Sequence, residues 1–258
     1  MPMWIPSCYD NFMDKTPHKK VVEAITLTKA QMHEAARSRV AEIAKEFTEG
    51  FKFLENYPRS VTFFGSSQTK EGEAYYESAR RLSSRIVKEL GYAVISGGGP
   101  GIMEAADRGA FEANGNSIGL LIKLPHSQPI NSYIKKSISF YYFFARKVCL
   151  AYGAEVFLFF PGGYGTLDEF FEIITLIQTK KMPPAPIICV GSPYWSKMKD
   201  LIEKELLARD MIDPEDMKLF TVTDNHDEIM KIIKNASVRE SIPLTEMDQR
   251  LTEEALRL

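Results

Sequence analysis

Short apolar segments alternate along this chain with longer segments in which apolar residues recur every three or four positions. Unbroken apolar runs of this length are typical of strands, whereas the longer spacing is typical of helices. Glycines and prolines separate the segments, and Gly91 follows one helical pattern as a stop signal. The predicted strands are Val61–Phe64, Tyr92–Ile95, Ser117–Ile122, Val156–Phe160, Ile187–Val190 and Leu219–Val222. The predicted helices between them are Glu73–Leu90, Ile102–Asn114, Leu167–Thr179, Tyr194–Arg209 and Glu228–Ile233, while residues 123–140 follow no clear pattern.

This alternation of strands and helices predicts a parallel sheet joined by right-handed crossovers. The unbroken apolar run Val156–Phe160 is expected of a strand that is covered on both faces. We therefore predict an α/β fold, a Rossmann-like parallel sheet with helices on both faces, in residues 56–236. Residues 1–55 are predicted as a partly helical N-terminal extension and residues 237–258 as a helical tail. The helical composition of residues 21–54 carries no catalytic pattern and favours a role in packing or dimerisation.

Composition and charge narrow the class of protein. Of 258 residues, 45% are hydrophobic and 26% are charged, as in a globular protein that is not embedded in a membrane. The net charge of −2 argues against a protein that binds nucleic acid mainly by neutralising phosphates, although a local basic patch stays possible. The three cysteines lack the spacing of a disulfide framework or a zinc site. The N-terminal residues do not resemble a signal peptide, and no apolar run is long enough to span a bilayer, so we expect a cytoplasmic protein.

Three glycine-rich turns each follow a predicted strand. They are Gly65–Ser67, Gly97–Gly101 and Gly162–Thr166. Such turns allow backbone N–H groups to approach an anion, although a glycine can also serve only to make a tight turn. Neither of the two longer turns matches a dinucleotide fingerprint, and the phosphate-binding loop pattern with its lysine is absent. Because ligands bind at the carboxyl ends of parallel strands, the three turns are expected to converge on one edge of the sheet.

The motifs in and around these turns resemble a known family. GSS at Gly65–Ser67, SGGGPGIME at Ser96–Glu104, ARK at Ala145–Lys147 and PGGYGTLDE at Pro161–Glu169 are similar to the motifs of the LONELY GUY family. Members of that family are cytokinin-activating nucleoside 5'-monophosphate phosphoribohydrolases, often misnamed lysine decarboxylases. The resemblance covers residues 61–233. It implies cleavage of AMP or an N6-modified AMP to free base and ribose 5-phosphate, without a cofactor or a metal.

The resemblance also implies which residues act. Arg146 and Glu169 take the positions of the catalytic arginine and glutamate. The implied substrate-binding residues are Gly65, Ser66, Gly98, Gly99, Lys147, Gly162, Gly163, Tyr164, Gly165, Thr166, Asp168 and Thr175. The relatives are dimers or higher assemblies, so we expect a homodimer or a higher homo-oligomer. Phe143–Ala145 replaces a histidine-containing pattern of the plant-type members, which leaves the preferred base open.

Several of these residues have a simpler structural interpretation. Thr166 and Glu169 have the spacing of a capping box, in which each side chain satisfies a backbone donor at a helix start. Arg146 and Lys147 are alternatively surface charges, and Arg146 would then form an exposed ion pair. Glu172 lies in a nearly all-apolar helix, where a local polar partner and a ribose contact explain it equally well.

The sequence is compatible with three functions from different classes. The first is the phosphoribohydrolase. The second is a nucleotide sensor or carrier that does not cleave its ligand, and the joint presence of Arg146 and Glu169 favours the enzyme over it. The third is a decarboxylase, which usually requires pyridoxal phosphate bound to a lysine, and no lysine here has a recognisable context for that role.

Overall fold

A computed structural model describes residues 28–124 and 129–236. The chain divides into two compact units, residues 1–41 and 42–258, and the sheet belongs wholly to the second. The predicted helical tail 237–258 and the first residues of the predicted N-terminal helix lie outside the described residues. The division at residues 55 and 56 stays a prediction.

The described residues form a seven-stranded sheet in which all neighbouring strands are parallel. Its strands are β1 (Ser60–Phe64), β2 (Ala93–Ser96), β3 (Ser117–Ile122), β4 (Lys136–Phe140), β5 (Val156–Phe159), β6 (Ile187–Cys189) and β7 (Phe220–Val222). The helices are α1 (Lys29–Leu54), α2 (Ala74–Arg85), α3 (Ile102–Glu112), α4 (Phe143–Tyr152), α5 (Tyr164–Gln178), α6 (Ser192–Leu201) and α7 (His226–Asn235). The predicted Rossmann-like α/β fold is confirmed.

Both faces of the sheet are covered, as the apolar run before Pro161 predicts. Phe157 and Phe159 point into one core cluster, and Val156 and Leu158 point into the other. All four side chains are fully buried. Successive strand residues face opposite sides, so a strand between two helical layers has to be apolar throughout.

Two helices continue beyond their regular part in tighter or wider turns. A π-helical turn, Ile86–Leu90, extends α2 up to Gly91, whose φ of 70° ends the helix at the predicted position. Helix α6 continues through a π-helical turn and a short 3₁₀ turn that ends at Arg209.

The prediction for residues 123–140 was incomplete, because β4 lies within them. β4 pairs with β3 at the edge of the sheet, and most of its residues are exposed or half-buried. Its polar residues Lys136, Ser137 and Ser139 leave only single apolar residues between them. This composition fits an edge strand, which has a neighbouring strand on only one side. Such a segment lacks the apolar run by which the central strands were recognised.

The strand order places a topological switch point between β1 and β5. The order is β4-β3-β2-β1-β5-β6-β7, so the chain builds outward from β1 on one side and then returns to its other side with β5. In sheets of this type, ligands bind in the crevice beyond the carboxyl ends of the two strands at the switch point. In the described part of the chain, no helix is both long and apolar enough to cross a membrane.

Candidate active site

The three glycine-rich turns meet at the switch point, as predicted. The first turn is held to the other two by backbone hydrogen bonds. The N–H of Ser66 donates to the carbonyl of Pro161 at 3.0 Å, and the N–H of Ile102 donates to the carbonyl of Ser66 at 3.0 Å. These bonds fix the relative positions of the turns and leave a cleft between them.

This cleft has a volume of about 280 Å³. Its lining combines the end of β1 and the turns that follow β1, β2 and β5 with side chains from α3, α4 and α5. The lining residues are Phe63, Phe64, Gly65, Ser66, Ser67, Gln68, Gly97, Met103, Arg146, Gly163, Gly165, Thr166 and Glu169. The cleft therefore brings together the predicted catalytic pair, Arg146 and Glu169, with five of the predicted binding residues.

Arg146 enters the cleft from α4 and is only 8% exposed. Its Nε donates to the carbonyl of Leu120 in β3 at 2.8 Å. Burial lowers the pKa of the guanidinium, and the charge of Glu169 opposes this shift. Because the side chain is buried and oriented by a backbone carbonyl, the interpretation of Arg146 as a surface ion pair is wrong.

The guanidinium fits beside the second turn only because that turn begins with glycine. A Cβ at Gly97 would lie 2.1 Å from Nη2 of Arg146 and 2.7 Å from the sulfur of Met103. A side chain at this position would force the guanidinium of Arg146 to move.

Glu169 reaches the cleft from the second turn of α5 and is half-buried. Burial raises the pKa of its carboxyl to about 7, and the nearby positive charge of Arg146 partly offsets the effect. A carboxyl that titrates near neutral pH in a cleft is a typical feature of a catalytic acid or base.

The capping box expected from Thr166 and Glu169 is not formed. Helix α5 begins at Tyr164 with Gly163 as its N-cap, and its first intrahelical bond runs from the N–H of Leu167 to the carbonyl of Gly163 at 3.1 Å. Thr166 is thus the third residue of the helix and not its cap. The N–H groups of the first turn have no acceptor within the helix, and Gly163, Gly165 and Thr166 present this turn to the cleft.

The other predicted binding residues of the turns lie around the cleft and not in its lining. Gly98 and Gly99 line a small adjoining pocket. The carbonyl of Gly162 accepts a hydrogen bond from the hydroxyl of Tyr194 at 2.8 Å. Tyr164 is 94% exposed.

Lys147 and two predicted partners on α5 form a separate group. The Nζ of Lys147 lies 3.1 Å from a carboxylate oxygen of Asp168 and 3.3 Å from one of Glu172. Asp168, Glu172 and Thr175 line an open depression on the surface, apart from the cleft. The ion pair with Lys147 supports the local structural interpretation of Glu172 within one copy of the chain.

Several residues of the cleft lining were not predicted as substrate-binding residues. Ser67 ends the first turn and Gln68 follows it, while Met103 is the second residue of α3, after the second turn. Their place beside the glycine-rich turns was the available signal. No motif pointed to the carbonyl of Leu120, because a backbone acceptor has no residue signature.

Several known proteins are similar to this chain in sequence. A family model described as possible lysine decarboxylase matches residues 103–233. The chain is 27% identical to cytokinin riboside 5'-monophosphate phosphoribohydrolase LOG5 of Arabidopsis thaliana over 68% of this chain and 76% of that protein. It is 26% identical to a second protein of Arabidopsis thaliana, cytokinin riboside 5'-monophosphate phosphoribohydrolase LOG7, over 68% of this chain and 80% of that protein.

Solved structures show the same fold. The X-ray structure of TM1055 matches with a TM-score of 0.52 and 24% identity over 68% of this chain and 98% of that one. The molybdenum cofactor carrier protein of Chlamydomonas reinhardtii matches with a TM-score of 0.51 and 22% identity over 69% of this chain and 96% of that one.

Proposed function

The chain belongs to the family described as possible lysine decarboxylases, the LONELY GUY family, and on this premise we propose that it hydrolyses nucleoside 5'-monophosphates. The products are the free base and ribose 5-phosphate, and the substrate is AMP or an N6-modified AMP. The relatives named as cytokinin riboside 5'-monophosphate phosphoribohydrolases support this reaction. The observation that carries the proposal is the pair of Arg146 and Glu169, which face one cleft beside the open N-terminus of α5.

Glu169 is the group that acts on the sugar in this proposal. Cleavage of a glycosidic bond develops positive charge on the ribose. The carboxylate of Glu169 stabilises this charge or activates the attacking water. With a pKa of about 7, about half of the carboxyl is ionised at neutral pH, and the ionised form is a stronger base than an exposed glutamate.

Arg146 and the first turn of α5 bind and orient the substrate. The guanidinium is held by the Leu120 carbonyl through Nε, and its Nη2 lies beside Gly97 at the cleft. It fixes the substrate or assists departure of the base. The N–H groups of Tyr164, Gly165 and Thr166 offer a site for the 5'-phosphate, because a helix N-terminus carries partial positive charge.

The residues of the cleft do not fit the decarboxylation that the family description mentions. Pyridoxal phosphate is held as a Schiff base by a lysine. No lysine belongs to the lining of the cleft as far as the structure describes the chain. Lys147, the lysine next to Arg146, points to the carboxylates of Asp168 and Glu172.

A panel of nucleoside monophosphates tests the proposed reaction. We expect AMP or an N6-modified AMP to release free base and ribose 5-phosphate without added metal or pyridoxal phosphate. Chromatography of the reaction mixtures measures the free base. If purine and pyrimidine monophosphates all bind but none releases its base, the chain is a nucleotide carrier or sensor and the proposed hydrolysis is wrong.

We also propose that the protein is a homodimer. Helix α4 exposes a row of large apolar side chains, Phe143, Phe144 and Val148, and α5 adds Phe171. Several large apolar side chains exposed on one helix favour an interaction site, and α4 and α5 also carry Arg146 and Glu169.

Light scattering at micromolar concentration is expected to give twice the mass of the chain. Val148→Asp places a charge in the exposed row, so we expect this variant to be a folded monomer. A stable monomer of the wild-type protein at that concentration would contradict the proposal.

A further inference from the structure

A buried group of polar side chains lies directly behind the second glycine-rich turn, outside the cleft. It comprises Ser96 at the end of β2, Asp107 on α3 and Asn131 before β4. Ser96 and Asp107 are fully buried, and Asn131 is nearly so. Asp107 Oδ2 accepts hydrogen bonds from the hydroxyl of Ser96 and from Nδ2 of Asn131, both at 2.7 Å.

This group holds the backbone of the turn from both sides. The N–H of Gly98 donates to the Ser96 hydroxyl at 2.9 Å. Asn131 donates through Nδ2 to the carbonyl of Gly99 at 3.0 Å and through its backbone N–H to the carbonyl of Gly98 at 3.1 Å. Gly98 has a φ of 73°, a left-handed conformation that the three side chains thereby stabilise.

The turn held in this way forms one wall of the space that Arg146 occupies. Gly97 lies between Ser96 and Gly98, and it approaches Nη2 of Arg146 so closely that no Cβ would fit. The guanidinium is also held by the carbonyl of Leu120, which accepts a hydrogen bond from its Nε; Leu120 lies in β3, the strand next to β2. A shift of the turn would therefore change the space available to the guanidinium.

The burial of the Asp107 carboxyl destabilises the folded state. Within the described part of the chain its Oδ1 is buried and has no hydrogen-bond partner. Burial raises the pKa of this carboxyl to about 7, while Asn131 and Ser96 oppose the shift. A buried carboxyl with an unsatisfied oxygen destabilises the folded state, and such groups are found where function requires them.

We propose that Ser96 and Asp107 are positioning residues that fix Arg146 through the backbone of Gly97 and Gly98. The inference rests on the proposed function, because the arginine acts on the nucleotide only if that function is right. It assigns the buried group a role in turnover and not only in folding. Small displacements of a catalytic group lower the rate strongly, whereas substrate binding by the other turns is retained.

Ser96→Ala is the test variant and Ser83→Ala is its matched control. Both serines are fully buried, and each donates a hydrogen bond to α3. The Ser83 hydroxyl donates to the carbonyl of Ala106 at 2.5 Å and does not contact the turn. We expect both variants to fold with a lower Tm, and the decrease to be larger for Ser96→Ala, which loses two hydrogen bonds, than for Ser83→Ala, which loses one. Only Ser96→Ala is expected to lower kcat, by about tenfold, with KM changed by less than about threefold.

Two substitutions of Asp107 separate positioning from a role of its charge. Asp107→Asn keeps an oxygen that accepts from Ser96 and Asn131, so its kcat is expected to stay within about threefold of the wild type. Asp107→Ala removes that acceptor and is expected to lower kcat at least as far as Ser96→Ala. If Asp107→Ala does not fold, the Ser96 and Ser83 pair decides the question.

A spectroscopic measurement reads the position of Arg146 without relying on turnover. The Nε–H of Arg146, assigned by its loss in Arg146→Lys, is expected to give a protected NMR signal in the wild type and in Ser83→Ala. In Ser96→Ala the signal is expected to shift or broaden. The inference is overturned if the signal is unchanged there, if Ser96→Ala and Ser83→Ala have equal kcat, or if Asp107→Asn is as slow as Asp107→Ala. A wild-type protein without turnover but with the expected NMR changes refutes the proposed function and supports the positioning of Arg146.

Discussion

Glu169→Gln is expected to lower kcat by at least about 100-fold while the protein remains folded. Loss of one acid–base or charge-stabilising group typically has an effect of this size. Gln has nearly the same shape as Glu, and Glu169 takes no part in capping α5, whose N-cap is Gly163. The substitution therefore removes the charge in the cleft without removing a structural contact of the helix start. Steady-state kinetics with AMP measure the effect.

The thermal stability of the same variant provides a second measurement, in which we expect Tm to increase. Burial raises the pKa of Glu169 from 4.5 to about 7 in the folded protein. The folded state therefore binds an additional proton between these pH values, so stability decreases as pH rises through this window. Gln does not ionise, and Glu169→Gln is expected to raise Tm at pH 8.5 by at least about 2 °C.

Glu112→Gln is the control for this pair of measurements. Glu112 accepts hydrogen bonds from Arg80 and Arg108, which lower the pKa of its carboxyl, and it lies on the surface away from the cleft. Its substitution is expected to lower Tm slightly and to leave kcat unchanged. If Glu169→Gln instead loses stability and retains turnover, Glu169 is a structural residue.

The pH dependence of the wild-type enzyme follows from the same carboxyl. The proposed reaction requires the ionised form of Glu169, so kcat/KM is expected to fall about tenfold per pH unit below about 7. A rate that increases as the pH falls through this range would identify Glu169 as a proton donor.

Adenosine is expected to be at least about 100-fold less efficient than AMP in kcat/KM. The first turn of α5 presents backbone N–H groups to the cleft and has no acidic residue that would repel a dianion. Charge-assisted hydrogen bonds contribute roughly 1.5–3 kcal/mol each, and adenosine loses at least two of them. Because the phosphate is remote from the glycosidic bond, its binding energy orients the sugar against Glu169 and acts on kcat as well as KM.

Gly165→Ala tests whether the first turn of α5 causes the preference for AMP over adenosine. A Cβ at Gly165 lies in open space, so the substitution is not expected to displace any neighbouring atom. Gly165 is the second residue of α5, and alanine has the higher helix propensity, so the variant is expected to be at least as stable as the wild type. Its methyl group would occupy part of the phosphate site, and the ratio of kcat/KM for AMP to that for adenosine should decrease. A wild-type ratio near one would show that the turn does not bind the phosphate.

The parts of the fold that could be predicted from the sequence are those with strong periodicity. The apolar run before Pro161 predicted a strand buried on both faces, and the turns that follow parallel strands had to meet at one edge. β4 was missed because Ser137 and Ser139 interrupt its apolar pattern at the sheet edge. The capping box was wrongly predicted from Thr166 because the spacing alone does not show where a helix begins, and α5 starts at Tyr164.

The distribution of the site residues follows from the geometry of helices. Consecutive helical residues point about 100° apart, so Arg146 and Lys147 cannot both face the cleft. Asp168 and Thr175 are seven positions apart and share one face of α5, whereas Glu169 faces the cleft.

The identity and stoichiometry of the products formed from AMP test the proposed hydrolysis most directly. Wild-type protein is incubated with AMP, and adenine, ribose 5-phosphate, adenosine and phosphate are measured by mass spectrometry, with Glu169→Gln prepared in parallel. Cleavage at the glycosidic bond predicts equimolar adenine and ribose 5-phosphate from the wild type and almost none from the variant. AMP that binds and remains intact would contradict the account, as would products that consist of adenosine and phosphate.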